Sequence, residues 1–469
     1  MKISRIVIRG YQQFDTLDLD LTDPKTGQAL DRVCFIGRNG TGKTTLLNLI
    51  NRILKRFSET RGRPPAFPEL RRLHAAPLVA LKLQAPNGGL CLVATADGSK
   101  PSPFVVREDT FASTAWKEFL NTSELEAADA ARILHMQLVP EDDAESIVEA
   151  LCWKDSGTSL LIHVPPDTGG HFATKEGVPQ TTLNLALKLF KQFPLCHEVS
   201  TPNASAFWNV LIYHIKKREE DWQNYLQQAE NRSKPVEEVD REFQRTHPDI
   251  LAAIAGLWNR ILEPAGLEFD YHAATKPVQL NENLEAFIKV KSSGACLEYR
   301  ALSSGIRDFL FRLGHILSLY FARAIERAVL LLDEPENSLF PDFLYDQVDI
   351  CQEITRNTQF FVATHSPIVA AQFRPEERVI LEFDETYHVR AKRGVTPLGD
   401  DPNDVLAKDF EVRSIYGQEG LRQWERFLEL RRTIKQAKDP KQKRSLIDEY
   451  MQIGTAYNFG GDAVSQEVS

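Results

Sequence analysis

Hydrophobic and polar positions divide the chain into strand-like and helix-like stretches. Residues 2–10 and 15–22 alternate and predict two strands, joined by Gly10-Tyr11-Gln12-Gln13 and followed by a turn at Asp23-Pro24-Lys25-Thr26-Gly27. Val33-Cys34-Phe35-Ile36 is apolar throughout and predicts a buried strand, after which a helical pattern runs to about Phe57. Residues 79–84 and 90–95 read as a hairpin across Pro86-Asn87-Gly88-Gly89, residues 110–150 as helical, and Ser159 to Val164 as a strand. Between 203 and 265, Phe207, Trp208, Leu211, Ile212, Ile215, Trp222, Tyr225 and Leu226 recur at helical spacing, and a second helix centres on Ile250 to Leu262. This stretch lacks sustained heptads, so it predicts an inserted helical arm rather than a coiled coil.

Further on, an amphipathic helix passes through Phe309, Leu310, Leu313, Ile316, Leu317 and Tyr320. Ala328 to Leu332 is too apolar to be half-exposed and predicts a buried strand of a parallel sheet, and Gln359 to Thr364 predicts a neighbouring strand. Two helices near 418–437 and 440–453 close the chain, broken at Asp439-Pro440, with disorder expected from Phe459 onward. The predicted organisation is an α/β N-terminal lobe over 1–202, the arm over 203–265, a second lobe over 266–395 and a helical tail over 396–469.

The chemistry gathers at the strand ends. After Ile36 comes Gly37-Arg38-Asn39-Gly40-Thr41-Gly42-Lys43-Thr44-Thr45, a glycine-rich turn opening a helix in the pattern G-x-x-x-x-G-K-[ST]. Gly37, Gly40 and Gly42 let successive N–H groups point at a phosphate chain, Asn39 and Thr45 flank it, Lys43 reaches its β/γ end, and the Thr44 hydroxyl suits Mg²⁺. Leu302-Ser303-Ser304-Gly305-Ile306-Arg307 opens the later helix. Strand 328–332 delivers Asp333 and Glu334 to the carboxyl edge of the sheet, where ligands bind in open α/β folds. There Asp333 suits Mg²⁺ and its waters, Glu334 suits a general base toward attacking water, and His365, ending the next strand, suits a hydrogen bond to a γ-phosphate.

Taken together these motifs resemble an ABC-type soluble ATPase of the RecF/SMC-like and OLD-like group: Walker A at 37–44, signature at 302–307, Walker B at 328–334, D-loop at 335–341 and switch histidine at 365. Ser338-Leu339-Phe340-Pro341 is similar to the turn after Walker B in OLD-like ATPases. More narrowly, the chain resembles ATPase subunits of bacterial anti-phage systems of the Septu, PARIS and retron-linked types. The resemblance implies an ABC-ATPase head, a P-loop NTPase with ATP and Mg²⁺ as ligands. It implies head-to-tail homodimers or higher homo-oligomers, in which Ser303 and Gly305 face the γ-phosphate held by the other copy. It implies a separate effector protein such as a nuclease, because the tail is too short for a fused Toprim domain. The runner-up resemblance is a RecF-like repair ATPase that clamps DNA.

The sequence departs from the family at Ser304 and Ile306-Arg307 in the signature and at Gln12-Gln13, where relatives carry a basic residue. The Q-loop glutamine has two candidates, Gln84 and Gln137. These departures imply slow turnover, with ATP acting chiefly as structural glue.

Composition narrows the reading little. A formal net charge of −9 excludes a protein that is polycationic overall, yet basic segments at 52–72 and 431–444 leave contact with DNA or RNA open, beside the blander reading of solvated helix ends. Six cysteines without a C-x-x-C pair predict reduced thiols in a cytoplasmic protein, and no apolar run is long enough to span a bilayer.

Overall fold

The computed structural model describes residues 2–60, 77–85, 88–95, 104–107, 159–166, 196–199, 220–247, 249–271, 288–297, 301–323, 327–337, 339–355, 357–412 and 416–457, with a few isolated positions. Two compact units are present, Met1–Asp400 and Asp401–Ser469. The helical expectation for 110–150 and the first half of the 203–265 stripe lie largely outside the described residues.

In the first unit, β1 (Lys2–Tyr11) and β2 (Phe14–Asp20) pair antiparallel, and β3 (Arg32–Gly37) leads into α1 (Lys43–Thr60). Next come β4 (Leu78–Ala85), β5 (Gly88–Thr95), β6 (Phe104–Val106), β7 (Ser159–Val164) and β8 (Cys196–Glu198). Helices α2 (Val236–Thr246) and α3 (Ile250–Leu262) precede a small antiparallel sheet of β9 (Leu267–Phe269), β10 (Ile288–Val290) and β11 (Cys296–Leu297). Then follow α4 (Ser304–Arg323), β12 (Arg327–Asp333), α5 (Pro341–Tyr345), α6 (Gln347–Ile354) and β13 (Thr358–Ala363). Helix α7 (Pro367–Ala371) and the hairpin of β14 (Arg378–Phe383) and β15 (Val389–Arg393) complete the unit.

Two sheets carry the architecture. One is antiparallel, ordered β2-β1-β4-β5-β6; the other runs β15-β14-β3-β13-β12-β7-β8 and is parallel except at β15. The fold is thus mixed α/β. Strand composition follows position: β12 and β13 are buried almost throughout, as strands covered on both faces must be, whereas β2 alternates Phe14, Leu17 and Leu19 inward with Asp15, Asp18 and Asp20 outward. One hydrophobic core joins the sheets, running from Ile3, Ile6 and Phe14 through Leu47 and Leu54 to Leu331 and Phe361.

A buried amide ties the sheets at the backbone. Gln359, fully buried on β13, accepts the Ile3 N–H at 2.6 Å and donates to the carbonyls of Ile3 and Leu30, each at 2.8 Å. The antiparallel sheet is thereby held in register over the parallel one. The stretch expected to be an arm is in part a packed element. Ile254, Trp258, Ile261 and Leu262 are buried, and Trp258 Nε1 donates to the Leu310 carbonyl of α4 at 3.1 Å.

The second unit contains α8 (Pro402–Lys408), α9 (Gln418–Gln436) and α10 (Pro440–Tyr457). Helices α9 and α10 form an antiparallel hairpin, with Phe427 stacked on Tyr450 (ring centroids 4.1 Å apart) and Arg426 bonded to Glu449 at 2.9 Å. Phe459 corrects the expectation of disorder at its first residue: it is buried between Trp424 (5.0 Å) and Phe427 (5.4 Å), because the hairpin alone leaves an aromatic face uncovered. Residues 460–469 lie outside the described residues.

Replacing Gln359 with Ala would leave the Ile3 and Leu30 backbone groups buried without partners. At about 1–3 kcal/mol for each of the three orphaned groups, the expected loss of stability is at least about 3 kcal/mol. Urea unfolding measures it, and a loss below about 0.5 kcal/mol would show that register does not depend on this amide.

Candidate functional site

The parallel register brings the predicted chemistry to one edge. Asp333 pairs with Ala363, Ala363 with Phe35, and Leu381 with Gly37, so β12, β13, β3 and β14 all end at the same level. The ladder continues past the strands: the Glu334 N–H donates to the Ala363 carbonyl at 2.8 Å and the Thr364 N–H to the Phe35 carbonyl at 3.1 Å. Here lies a cavity of about 730 Å³ lined by Gln13, Asn39, Gly40, Gly42, Lys43, Thr44, Thr45, Glu334, Glu336, Asn337, His365 and Ser366.

Sterics dictate two of the loop glycines. A Cβ on Gly37 (φ 148°) would sit 2.3 Å from the Leu381 carbonyl oxygen of the neighbouring strand. One on Gly42 (φ 90°) would sit 2.3 Å from Gln13 Nε2 and 2.4 Å from the Phe14 ring. The loop is therefore threaded between β14 and the β1–β2 turn, with no room for a side chain at either point. Lys43 is almost buried and folds its ammonium onto the loop's own carbonyls, Gly37 at 2.8 Å and Arg38 at 3.2 Å. Burial lowers its pKa to about 8, against the pull of Glu334 and Asp333.

Beneath the loop, Asp333 accepts the Thr44 hydroxyl on Oδ1 at 3.2 Å, while its Oδ2 is buried with no partner among the described residues. Burial raises this carboxyl to about 6. Thr44 and Asp333 thus present a hydroxyl and an unsatisfied hard oxygen side by side, a donor set that suits Mg²⁺. Among the described residues no cluster of three or more His, Cys, Asp or Glu forms an all-protein metal cage.

Glu334 takes a left-handed backbone (φ 44°) that turns its side chain from the strand line into the cavity. Asn337 Nδ2 donates to its Oε2 at 3.1 Å, and His365 Nε2 lies 3.8 Å from its Oε1. Burial, and then the Lys43 charge, lowers the His365 pKa, so the ring is neutral at pH 7 and holds one N–H to donate.

Sequence reasoning missed Glu336. Its Oε1 accepts the Thr364 hydroxyl at 2.7 Å and the N–H groups of His365 (2.7 Å) and Ser366 (3.1 Å). The turn after Asp333 is thus clasped to the turn that carries His365. Gln13 was noted only as a departure from the family; its Nε2 donates to the Gly40 carbonyl at 3.2 Å, so it braces the loop. The one signal available for either residue was its place in a turn next to a motif.

Of the predicted site residues, Asn39, Gly40, Gly42, Lys43, Thr44, Thr45, Glu334 and His365 share the cavity, while Gly37 and Asp333 lie directly behind it. Ser303 and Gly305 do not line it. Ser303 instead caps α4, its Oγ accepting the Ile306 N–H at 3.4 Å. The Q-loop candidate Gln84 is committed elsewhere, accepting the Ala29 N–H at 3.0 Å within the antiparallel sheet, and Gln137 lies outside the described residues.

A strand–glycine loop–helix unit with a lysine, a hydroxyl and a buried aspartate at the sheet edge defines a P-loop nucleotide-binding protein. The sequence matches the AAA ATPase domain family (AAA_15) over residues 1–124 and 173–370, and the chain belongs to that family. No curated protein matches it. Solved structures similar to it include an SMC head bound to the C-winged helix domain of ScpA, at 12% identity and TM-score 0.40, covering 85% of this chain and 98% of that one. Another is an Smc head with an extended coiled coil bound to the C-terminal domain of ScpA, from Pyrococcus furiosus, at 14% identity, TM-score 0.40 and coverage of 84% and 96%. A third is the SMC head domain from Thermotoga maritima, at 13% identity, TM-score 0.36 and coverage of 84% and 100%. Among the described residues, no helix is long and apolar enough to cross a membrane.

Asp333 also yields a stability prediction with a definite sign. Its carboxyl is held near 6 in the fold against the usual 3.8, so the protonated form is favoured and stability falls as pH rises from about 4 to about 6. Asp333→Asn is therefore expected to raise the stability of the ligand-free protein by about 1–3 kcal/mol at pH 7.5 and by little at pH 4. Denaturant unfolding at both pH values checks this. A variant less stable than wild type at pH 7.5 would contradict it.

Proposed function

We propose that the chain is an ABC-type ATPase hydrolysing ATP to ADP and phosphate, and that it serves as the ATPase subunit of an anti-phage defence complex controlling a separate effector such as a nuclease. The observation that carries the catalytic part is the convergence of Lys43, Thr44, Asp333, Glu334 and His365 on one sheet edge around a single cavity. The defence part rests on the resemblance of the chain to ATPase subunits of anti-phage systems.

In this reading the N–H groups of the 37–45 loop and the Lys43 ammonium hold the triphosphate, with Gly37, Asn39, Gly40, Gly42 and Thr45 shaping the cradle. Thr44 and Asp333 hold Mg²⁺, which when bound neutralises charge on the phosphate oxygens. Glu334 takes a proton from water as its oxygen attacks the γ-phosphorus and the bond to the β-bridging oxygen breaks, leaving ADP and phosphate. His365, neutral, donates a hydrogen bond to the γ-phosphate, and Glu336 fixes the turn that presents it. Ser303 and Gly305, at the N-terminus of α4, serve the nucleotide held by a second copy, so the working unit is a homodimer or higher homo-oligomer.

Glu334→Gln is expected to lower steady-state hydrolysis by about 10²–10⁴-fold while prolonging an ATP-bound dimer. Light scattering with and without ATP reads the dimer, and a Glu334→Gln protein that remains monomeric in ATP would count against the sandwich. Lys43→Ala is expected to abolish ATP binding and hydrolysis together. Turnover that survives this change would place the catalytic site elsewhere.

A further inference from the structure

The tip of the α9–α10 hairpin carries charge that nothing in its own unit balances. Arg432, Lys435, Lys438, Lys441, Lys443 and Arg444 crowd the turn from both helices, and Asp439 is the sole acidic residue between Glu429 and Asp448. The 426–449 bond sets the pairing level, so Arg432 lies across from Lys443, and all six project from within about 10 Å of helix axis from the turn. All six are exposed, and among the described residues none of the six has a carboxylate partner. Toward the open end the habit reverses: Arg422 pairs with Glu419, and Arg426 with Glu429 and Glu449.

A second observation points the same way. Helix α10 has no acidic residue in its first turn, yet Lys441 and Lys443 sit there with Arg444 just beyond. Cations at a helix N-terminus oppose the macrodipole. Asp439, whose Oδ1 accepts the Lys441 N–H at 3.1 Å as a cap, sets a single negative charge against these cations. Hairpin folding thus gathers like charges at a helix end that disfavours them, in a chain whose net charge is −9. A bound polyanion relieves both conflicts.

We propose that this hairpin tip is a docking surface for duplex DNA, contacting the phosphate backbone without reading sequence. Duplex DNA offers about one negative charge per 1.7 Å of axis, a density that matches clustered, solvated lysines. Residues 431–446 contain no Phe, Tyr, Trp or His, so the tip offers no platform on which unpaired bases could stack and no aromatic anchor for a protein partner, which favours a duplex backbone. The inference is independent of the ATPase reading and stands or falls without it.

The test is fluorescence anisotropy of the full chain with a labelled duplex of about 30 base pairs, titrated between about 50 and about 200 mM salt. With four to six phosphates neutralised, log K should fall against log salt with a slope of about −4 to −5. Joint replacement of Lys438, Lys441, Lys443 and Arg444 by Gln should flatten that slope by about 3.6 and weaken binding at least about tenfold. Lys441→Arg with Lys443→Arg, which keeps the charge, should hold affinity within about twofold, and so should Arg422→Gln with Lys408→Gln elsewhere in the unit. The unfolding temperature of the fourfold variant should stay at or above that of wild type, because the first-turn cations are gone. The proposal is overturned if the full chain does not bind the duplex, if the fourfold variant keeps its slope, or if the control pair loses as much affinity. Tighter binding of a single strand of the same length, or of polyglutamate, overturns it as well.

Discussion

The structure depends on one electrostatic debt: a carboxylate placed where water cannot reach it. Asp333 ends a strand so apolar that it must lie at the centre of the sheet, and the same burial that makes β12 a good central strand lifts its last side chain toward protonation. One oxygen is answered by Thr44 from the loop helix; the other has no partner among the described residues. A hydrophobic residue there would be cheaper for the fold, as sites of this kind commonly give up stability for a charge held ready. In the proposed function a cation shares the carboxylate when nucleotide is present.

Around that debt the loops are fixed rather than mobile in design. Gly37 is pressed against β14, Gly42 against the β1–β2 turn, and Gln13 holds the Gly40 carbonyl. Glu336 gathers three donors from the turn that carries His365. The ends of β12 and β13 are therefore joined by side-chain hydrogen bonds beyond the sheet ladder. Ser303 stands apart from this cluster, at the head of α4. In the proposed function it is a second copy that brings Ser303 and Gly305 to the nucleotide.

Much of this was legible in the sequence, for physical reasons. Parallel strands buried on both faces betray themselves as apolar runs, so Val33 to Ile36, Ala328 to Leu332 and Phe360 to Ala363 marked the sheet, and the polar residues following each run marked its carboxyl edge. Side chains that act through a turn leave no such trace. Glu336 and Asn337 look like ordinary turn residues until the fold brings Thr364 and Glu334 to them. Gln359 reads as one polar residue in an apolar strand, and only the antiparallel sheet laid over it reveals why it is there. Phe459 was misjudged because proximity to a terminus outweighed its aromaticity, while its partners Trp424 and Phe427 lie a full hairpin away in sequence.

The central claim is that Thr44 and the unanswered oxygen of Asp333 form a cation site that completes only with nucleotide. Crystals grown with Mn²⁺ and a non-hydrolysable ATP analogue, measured at the manganese absorption edge, address it directly. An anomalous peak between Thr44 Oγ1 and Asp333 Oδ2 is the expected result; nucleotide bound in the 37–45 loop with the manganese peak absent from that position, or held by other residues, would contradict it.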